Sequence, residues 1–297
     1  MLKNFFLYLS TQRALRGWME TSSAARRLSG RFIAGNRLED GLAVVRELRS
    51  RGLLTALDPL GENVTTEAEA AAAARNALAA LRGAISQEAG ATVSIKLTQF
   101  GLDLSTEMAL ANVTPLVQLA AEKGSRVEVD MEATAYTQRT IEVLETLAAT
   151  GPVRAVIQAY LYRTAADIER LNTQKIPIRL CKGAYNEPSE LAMKRKADVD
   201  ANFKKMAALL LEKGAYPAFA THDPAMIDHV LRHRPDKDQF EFQMLYGIRR
   251  DLQERLRSEG WRVRLYVPFG DAWYPYFMRR LAERPANVWF VAKSLVR

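Results

Sequence analysis

Eight short apolar runs, rich in β-branched residues, alternate along the chain with stretches of helical character. The runs are LLTAL (53–57), TVSIKL (92–97), RVEVDM (126–131), VRAVIQAY (153–160), PIRLCKG (177–183), YPAFATH (216–222), QFEFQML (239–245) and RVRLYVPF (262–269). Several of the stretches between them start at Thr or Asp and end at Gly, as helices do. This alternation predicts parallel strands joined by crossover helices.

Eight strand–helix units favour a closed (βα)8 barrel of the TIM type, in which no sheet edge is exposed. The alternative is an open doubly wound sheet, which usually carries a Gly-rich turn after its first strand, and DPLGEN (58–63) is not such a turn. The chain of 297 residues has the usual length of one barrel. We predict an N-terminal helical segment over 1–50 packed on a catalytic barrel over 51–297, with a further helix at the C-terminus.

Composition and charge narrow the class of protein. No apolar run is long enough to span a bilayer, and the N-terminus lacks the pattern of a signal peptide. The single cysteine, Cys181, cannot form an internal disulfide, so a cytoplasmic location is predicted. The net charge of +8 suits anionic partners, but the basic residues are spread along the chain without stacking aromatics, so no nucleic-acid partner is expected.

Polar residues stand at or near the ends of the predicted strands, where barrel enzymes carry their function. They are Lys96, Asp130, Gln158, Arg179, Lys182, Thr221, His222, Gln243 and Tyr266. Such cations suit a small carboxylate or phosphate ligand, because Arg grips a carboxylate through two parallel hydrogen bonds and Lys acts as a point charge. A structural interpretation stays open, in which Lys96 only pairs with Asp130 inside the barrel and Arg179 lies at the surface.

These residues alone leave the reaction open. A lyase that forms a Schiff base on Lys96 and a flavin enzyme both fit, and a basic binding module without catalysis is a third candidate. His229 and His233 have the i, i+4 spacing of zinc ligands, but no third ligand stands nearby, so no metal is predicted. Cys181 lies in a strand with no base beside it and is interpreted as a core residue.

The segment YFMRRLAER (276–284) places two adjacent arginines on an amphipathic helix. Arg279 and Arg280 point about 100° apart around the helix axis. Glu283 stands four residues after Arg279, so its carboxylate can orient a guanidinium.

Six motifs, in this order, resemble the proline dehydrogenase family in its compact monofunctional bacterial form. They are VSIKL (93–97), VEVDME (127–132), IRLCKGAYNE (178–187), YPAFATHD (216–223), EFQMLYGI (241–248) and LYVPFGDAWYPYFMRRLAE (265–283). The resemblance covers about residues 50 to 297. It departs from the family pattern at Cys181, where an apolar residue is usual, and at Asn186, where some relatives carry an aromatic residue.

The resemblance implies a (βα)8 barrel that binds FAD non-covalently at its C-terminal face. L-proline would give a hydride from C5 to the flavin N5 and leave as Δ1-pyrroline-5-carboxylate, the first step of proline degradation to glutamate. Electrons would pass to a membrane quinone, with peripheral contact at the inner face of the cell membrane. A separate pyrroline-5-carboxylate dehydrogenase would act on the product.

The resemblance also implies roles for individual residues. Asp130 and Arg179 would be catalytic, with Arg179 close to flavin N5. The implied substrate-binding residues are Lys96, Leu245, Tyr266, Tyr276, Arg279 and Arg280. The implied cofactor-binding residues are Met131, Gln158, Lys182, Gly183, Ala184, Tyr185, Lys196, Thr221, His222 and Glu283.

Overall fold

The strands of the computed structural model close into a parallel barrel, in which each strand pairs with its neighbours in chain order and β8 returns to β1. The structure describes residues 29–61, 64–233, 236–274 and 276–278. The strands are β1 (Leu54–Pro59), β2 (Thr92–Ile95), β3 (Val127–Val129), β4 (Val153–Gln158), β5 (Ile178–Cys181), β6 (Ala218–Ala220), β7 (Glu241–Leu245) and β8 (Val263–Phe269). The predicted (βα)8 barrel is confirmed, and the open sheet is excluded.

One helix precedes β1, and a helix follows each strand from β1 to β7. The helices are α1 (Leu38–Ser50), α2 (Glu67–Gln87), α3 (Thr106–Glu122), α4 (Thr134–Ala148), α5 (Thr164–Thr173), α6 (Lys196–Lys213), α7 (Pro224–Arg232) and α8 (Arg250–Ser258). A short 3₁₀ helix (Leu97–Phe100) follows β2, and after β8 the backbone at 273–274 and 276–278 is helical. No helix among the described residues is long and apolar enough to cross a bilayer.

Local sequence signals fix where several helices begin. Thr66 and Glu69 form a capping box at the start of α2, in which each side chain accepts a hydrogen bond from the backbone N–H of the other residue. The Asp223 side chain accepts from the N–H of Ala225, and Pro224 takes the first helical position of α7. Because α7 begins so soon after β6, the residues between them are held at the C-terminal end of the barrel.

The barrel wall separates an apolar outer layer from a polar interior. Outward-facing strand residues such as Val93, Val129 and Leu180 pack in one buried cluster with the apolar faces of the helices. The strand register places Ser94 beside Glu128, and both side chains face the barrel axis, where they contact Arg179 of β5. The polar interior is therefore produced by alternation along the strands, with every second residue turned inward.

All the strands except β1 are shorter than the runs that predict them. Tyr216 has φ +48°, so the backbone bends before β6 and the run 216–222 keeps only Ala218–Ala220 as strand. Of the segment predicted over 1–50, residues 1–28 lie outside the described part of the chain. Within the rest, α1 packs Val45 and Leu48 into the core of the barrel.

Candidate active site

Asp130 is the centre of a polar constellation at the C-terminal end of the barrel. Its Oδ1 accepts hydrogen bonds from Ser94 Oγ, at 2.8 Å, and from Arg179 Nη2. Its Oδ2 accepts from the Tyr266 hydroxyl at 2.8 Å and from Lys96 Nζ at 3.2 Å. One carboxylate thus joins side chains from β2, β5 and β8, and the ion pair predicted between Lys96 and Asp130 is present.

Arg179 lies inside the barrel, so the interpretation of it as a surface residue is wrong. Only 5% of its side chain is exposed, and Nη1 lies 3.2 Å from Glu128 Oε2. Nη1 also donates to Gln243 Oε1 at 3.0 Å, and Nη2 donates to Ser94 Oγ at 3.0 Å. The guanidinium carbon lies 5.5 Å from the centre of the Tyr266 ring. Contacts on several sides fix the guanidinium in one orientation.

The protonation states of this constellation follow from its contacts. Burial opposes ionisation of Asp130, but Arg179 and Lys96 and the hydrogen bond from Tyr266 together hold its pKa below the ordinary value. Burial works against the charged form of Arg179, while Asp130 and Glu128 raise its pKa above the ordinary value. Burial and then the Asp130 charge raise the pKa of Tyr266 far above that of a free tyrosine. The site therefore holds a carboxylate, a guanidinium cation and a phenol that donates its proton.

Lys96 is held between two carboxylates at the mouth of the barrel. Its Nζ lies 3.5 Å from Asp58 Oδ1 as well as 3.2 Å from Asp130 Oδ2, and it donates to the Tyr266 hydroxyl at 3.3 Å. Two carboxylates at such distances stabilise an ammonium, whereas a Schiff base needs the neutral amine as nucleophile. The geometry therefore favours Lys96 as a fixed positive charge over Lys96 as a nucleophile.

The loop after β5 passes close to Tyr160. Gly183 has φ +112°, and a Cβ at this position would lie 2.2 Å from the nearest ring atom of Tyr160. The N–H of Tyr160 donates to the carbonyl of Lys182 at 2.9 Å, which holds the two segments together. Only glycine tolerates both the positive φ and the close approach of the Tyr160 ring. The backbone at this position therefore explains the glycine of the KGAY sequence.

Lys182 and Lys196 belong to one charge cluster beside this loop. The Lys182 ammonium donates to Asp223 Oδ2 at 2.7 Å and also to Asp200, and the Lys196 ammonium donates to Asp200. Burial opposes the ionised forms of Asp200 and Asp223, but the lysines hold both pKa values below the ordinary value. Two cations and two anions give a balanced cluster that ties the loops after β5 and β6 to the start of α6.

The other residues expected near a cofactor also lie at or beyond the C-terminal ends of the strands. Gln158 Nε2 donates to the carbonyl of Glu132 at 3.0 Å, and His222 Nε2 accepts from the N–H of Leu245 at 3.0 Å. Thr221 is buried on the loop after β6. Three more predicted residues follow β3 and β5, with one buried and two exposed side chains: Met131, Ala184 and Tyr185.

Leu245, Tyr266 and Tyr276, the expected walls of a substrate pocket, belong to one hydrophobic cluster with Trp273 and Phe277. Tyr276 is buried and close enough to Tyr266 to affect its pKa. The structure thus brings these three predicted residues together next to Asp130 and Lys96. Three further predicted residues lie outside the described part of the chain: Arg279, Arg280 and Glu283.

A layer of buried charged residues lies beneath the site and is not among the residues predicted from the sequence. Arg154, with no exposed side-chain surface, lies 3.3 Å from Glu128 Oε1 and also pairs with Glu241. Arg264 Nε donates to Glu241 Oε1 at 2.9 Å. The sequence carries a signal for these residues, because Glu128 and Arg264 each stand two residues before a predicted site residue, Asp130 and Tyr266, in the same predicted strand. Strand periodicity turns both members of such a pair inward.

His229 and His233 do not form a metal centre with a third ligand. His229 lies on α7 and His233 directly follows it, and the centres of their rings are 4.8 Å apart. The His229 Nε2 atom is hydrogen-bonded to the carbonyl of Lys204. Across the ranges that the structure describes, no group of three His, Cys, Asp or Glu side chains could hold a metal ion.

The arrangement can bind and orient a small anionic molecule at the mouth of the barrel. Lys96 and Arg179 supply fixed positive charge, and Tyr266 and Leu245 supply an apolar wall next to it. A cation buried as deeply as Arg179 stabilises negative charge that develops beside it, because there is little water to screen it. These properties suit a reaction in which a carboxylate-bearing substrate is held while a neighbouring group takes on negative charge.

Comparison with known proteins gives one family. The family model described as proline dehydrogenase matches residues 42–293. Proline dehydrogenase 1 of Bacillus subtilis (strain 168) is 38% identical over 302 residues, which cover 100% of both chains. The proline dehydrogenase of Deinococcus radiodurans is 39% identical over 280 residues, covering 91% of this chain and 90% of the relative.

Solved structures show the same barrel. Proline utilization A (PutA) of Bdellovibrio bacteriovorus, inactivated by N-propargylglycine, superposes with a TM-score of 0.79 at 27% identity. The match covers 87% of this chain and 33% of that one, so the chain spans about a third of the larger protein.

Proposed function

The chain belongs to the proline dehydrogenase family, and from that premise we propose that it oxidises L-proline with FAD bound at the C-terminal face of the barrel. The product would be Δ1-pyrroline-5-carboxylate. The observation that supports this most strongly is the constellation of Asp130, Arg179, Lys96 and Tyr266, whose side chains meet at the strand ends in one network of ion pairs and hydrogen bonds.

The residues at this face fit a flavin. A fixed cation beside a ring that takes up electrons stabilises the negative charge of the reduced form, and Arg179 is a buried cation with several anchoring contacts. Gln158, Met131, Thr221 and His222 would line the ring, and Lys182, Lys196 and the Gly183–Ala184–Tyr185 segment would hold the rest of the cofactor. When bound, FAD would supply the acceptor of a hydride from C5 of proline.

Binding of the FAD phosphates at the Lys182–Lys196 cluster would require one lysine to turn away from its carboxylate partners. Lys182 and Lys196 are already paired with Asp200 and Asp223, so their cluster brings no net positive charge. Lys196 is 77% exposed, so its ammonium can turn towards a phosphate with little loss of packing. We propose that Lys196 does so and that Lys182 stays with the two aspartates.

The substrate carboxylate would be bound by cations on two sides. Lys96 is held in position by Asp58 and Asp130, and the family resemblance adds Arg279 and Arg280, with Glu283 orienting one guanidinium. A cluster of cations disfavours the ammonium form of bound proline and favours the neutral amine that oxidation requires. Tyr266, Tyr276 and Leu245 would enclose the apolar ring and exclude water.

Electrons would leave to a membrane quinone. The net charge of +8 would favour peripheral contact with anionic lipid at the inner face of the cell membrane. We further propose that the protein is cytoplasmic and that an N-terminal segment over 1–50 packs on the catalytic barrel 51–297. A separate pyrroline-5-carboxylate dehydrogenase would act on the product.

A steady-state assay with an artificial electron acceptor tests the proposed reaction. We expect turnover with L-proline and a product that condenses with o-aminobenzaldehyde, as a cyclic imine does. N-propargylglycine inactivates PutA of Bdellovibrio bacteriovorus. Because it has a carboxylate and a secondary amine like proline, we expect it to inactivate this protein over time and proline to protect against it. Absence of turnover in a preparation loaded with FAD would refute the proposal.

A further inference from the structure

Glu128 lies directly beneath Arg179 and is completely buried. Its Oε2 is 3.2 Å from Arg179 Nη1, and its Oε1 is 3.3 Å from Arg154 Nη1. Thr92 Oγ1 donates to Oε1 at 3.0 Å. Burial opposes ionisation of Glu128, but Arg154 and Arg179 keep its pKa below the ordinary value. A full negative charge therefore stands against the guanidinium on the side away from the mouth of the barrel.

Gln243 joins the same two groups through both ends of its amide. Its Oε1 accepts from Arg179 Nη1 at 3.0 Å, and its Nε2 donates to Glu128 Oε2 at 2.9 Å and to Glu241 Oε1 at 2.7 Å. These contacts allow one amide orientation, because a flipped amide would direct its N–H groups at the guanidinium and its oxygen at two carboxylates. Gln243 thus fixes Arg179 relative to Glu128, because its amide contacts both side chains.

The ion pairs around the barrel axis contain equal numbers of positive and negative side chains. In the described residues the ion pairs there involve four cations and four anions, namely Lys96, Arg154, Arg179 and Arg264 with Asp58, Glu128, Asp130 and Glu241. Neutralising one anion leaves one uncompensated positive charge in a medium that screens it weakly.

We propose that Glu128, together with Gln243, is a positioning residue that fixes the orientation and sets the net charge of the Arg179 site, and that it thereby holds down the reduction potential of the bound flavin. This inference rests on the proposed function, in which Arg179 stands beside the flavin. A cation alone at this position would favour the reduced flavin strongly, and Glu128 offsets part of that effect.

Three variants separate charge from structure. Glu128→Gln removes the charge next to Arg179 with little change in shape, and Glu128→Asp keeps the charge while shortening the side chain. Glu241→Gln removes an equally buried charge that pairs with Arg154 and Arg264. The flavin midpoint potential of each holoenzyme is measured by spectroelectrochemistry, together with its urea unfolding midpoint.

We expect Glu128→Gln to shift the flavin potential to a more positive value. The equilibrium constant for reduction of the flavin should rise by about tenfold. Glu241→Gln should shift it in the same direction by less, and Glu128→Asp should leave it near wild type although it loses stability. If Glu128→Gln fails to fold, the contrast between Glu241→Gln and Glu128→Asp still tests the inference.

An unchanged potential in every folded charge-removing variant, with only the unfolding midpoint lowered, would show that Glu128 is purely structural. A negative shift would refute the inference as well. Failure of the proposed function gives a different result, because the wild-type protein would then release no flavin on denaturation, or its FAD-loaded form would not turn over L-proline.

Discussion

Replacement of Asp130 by asparagine removes the anion to which the candidate site is anchored. Asparagine keeps an oxygen that can accept from Ser94 and Arg179, but its amide N–H group then faces the Lys96 ammonium, 3.2 Å away in the wild type. Removing one partner of a buried ion pair costs about 3–5 kcal/mol. Because the carboxylate is 14% exposed and asparagine keeps part of the hydrogen bonding, we expect the lower limit of about 3 kcal/mol.

This loss should depend on pH in a defined direction. The folded protein lowers the pKa of Asp130, so the carboxylate contributes stability above the unfolded pKa of about 3.9 and loses it as the pH falls through the lower, folded value. The difference in unfolding free energy between wild type and Asp130→Asn should be constant from about pH 7 to pH 5 and shrink below about pH 4.

Urea unfolding at several pH values measures this difference, and steady-state kinetics on the same preparations measure its effect on the site. We expect kcat to fall by at least about tenfold, because Arg179, Lys96 and Tyr266 all lose a common acceptor. Glu145→Gln is a matched control, since Glu145 pairs with the more exposed Arg170 on the outer helices and should cost less than about 1 kcal/mol. A variant with wild-type stability and kcat would refute the assignment of Asp130 as the anchor.

Four other substitutions test separate parts of the molecule. Lys96→Met should raise the KM for proline by about 10- to 100-fold, because a charge-assisted hydrogen bond is worth about 1.5–3 kcal/mol. Arg280→Met should raise KM similarly with normal flavin content. Gly183→Ala should lower both flavin content and stability, because its Cβ would lie 2.2 Å from the Tyr160 ring at φ +112°. Glu88→Gln should raise stability at neutral pH, because burial raises the pKa of Glu88 and the ionised form, which dominates above that pKa, therefore costs stability.

Each of these substitutions has an informative failure in the kinetic, flavin-content or unfolding measurement. A normal KM in Lys96→Met, or loss of FAD in Arg280→Met, would contradict the proposed role of that residue in binding the substrate carboxylate. A Gly183→Ala protein with full flavin content would show that the loop adapts easily. Lower stability of Glu88→Gln at pH 8 would mean that the contact with the Thr55 N–H outweighs the charge.

The barrel could be predicted from the sequence because its strands and helices carry distinct periodicities. Eight apolar runs between helical stretches leave few ways to bury all faces, and closure of the sheet is one of them. The contact between Lys96 and Asp130 could also be predicted, since adjacent parallel strands place their ends together.

Contacts between distant strands could not be predicted in the same way. That Arg179 on β5 would meet Ser94 on β2 depends on the width of the closed barrel and on small residues elsewhere in its wall, such as Ala56 and Ala218. The pairing of Lys182 with Asp200 and Asp223 likewise depends on how two loops and α6 meet. Pattern along one strand gives the direction of a side chain but not its partner.

The absorbance spectrum of the purified protein under anaerobic conditions, before and after addition of L-proline, is the most direct test of flavin-dependent proline oxidation at this site. We expect a yellow protein whose flavin band near 450 nm bleaches with one equivalent of proline and returns on addition of a quinone. A colourless protein, or a bound flavin that stays oxidised in excess proline, would refute it.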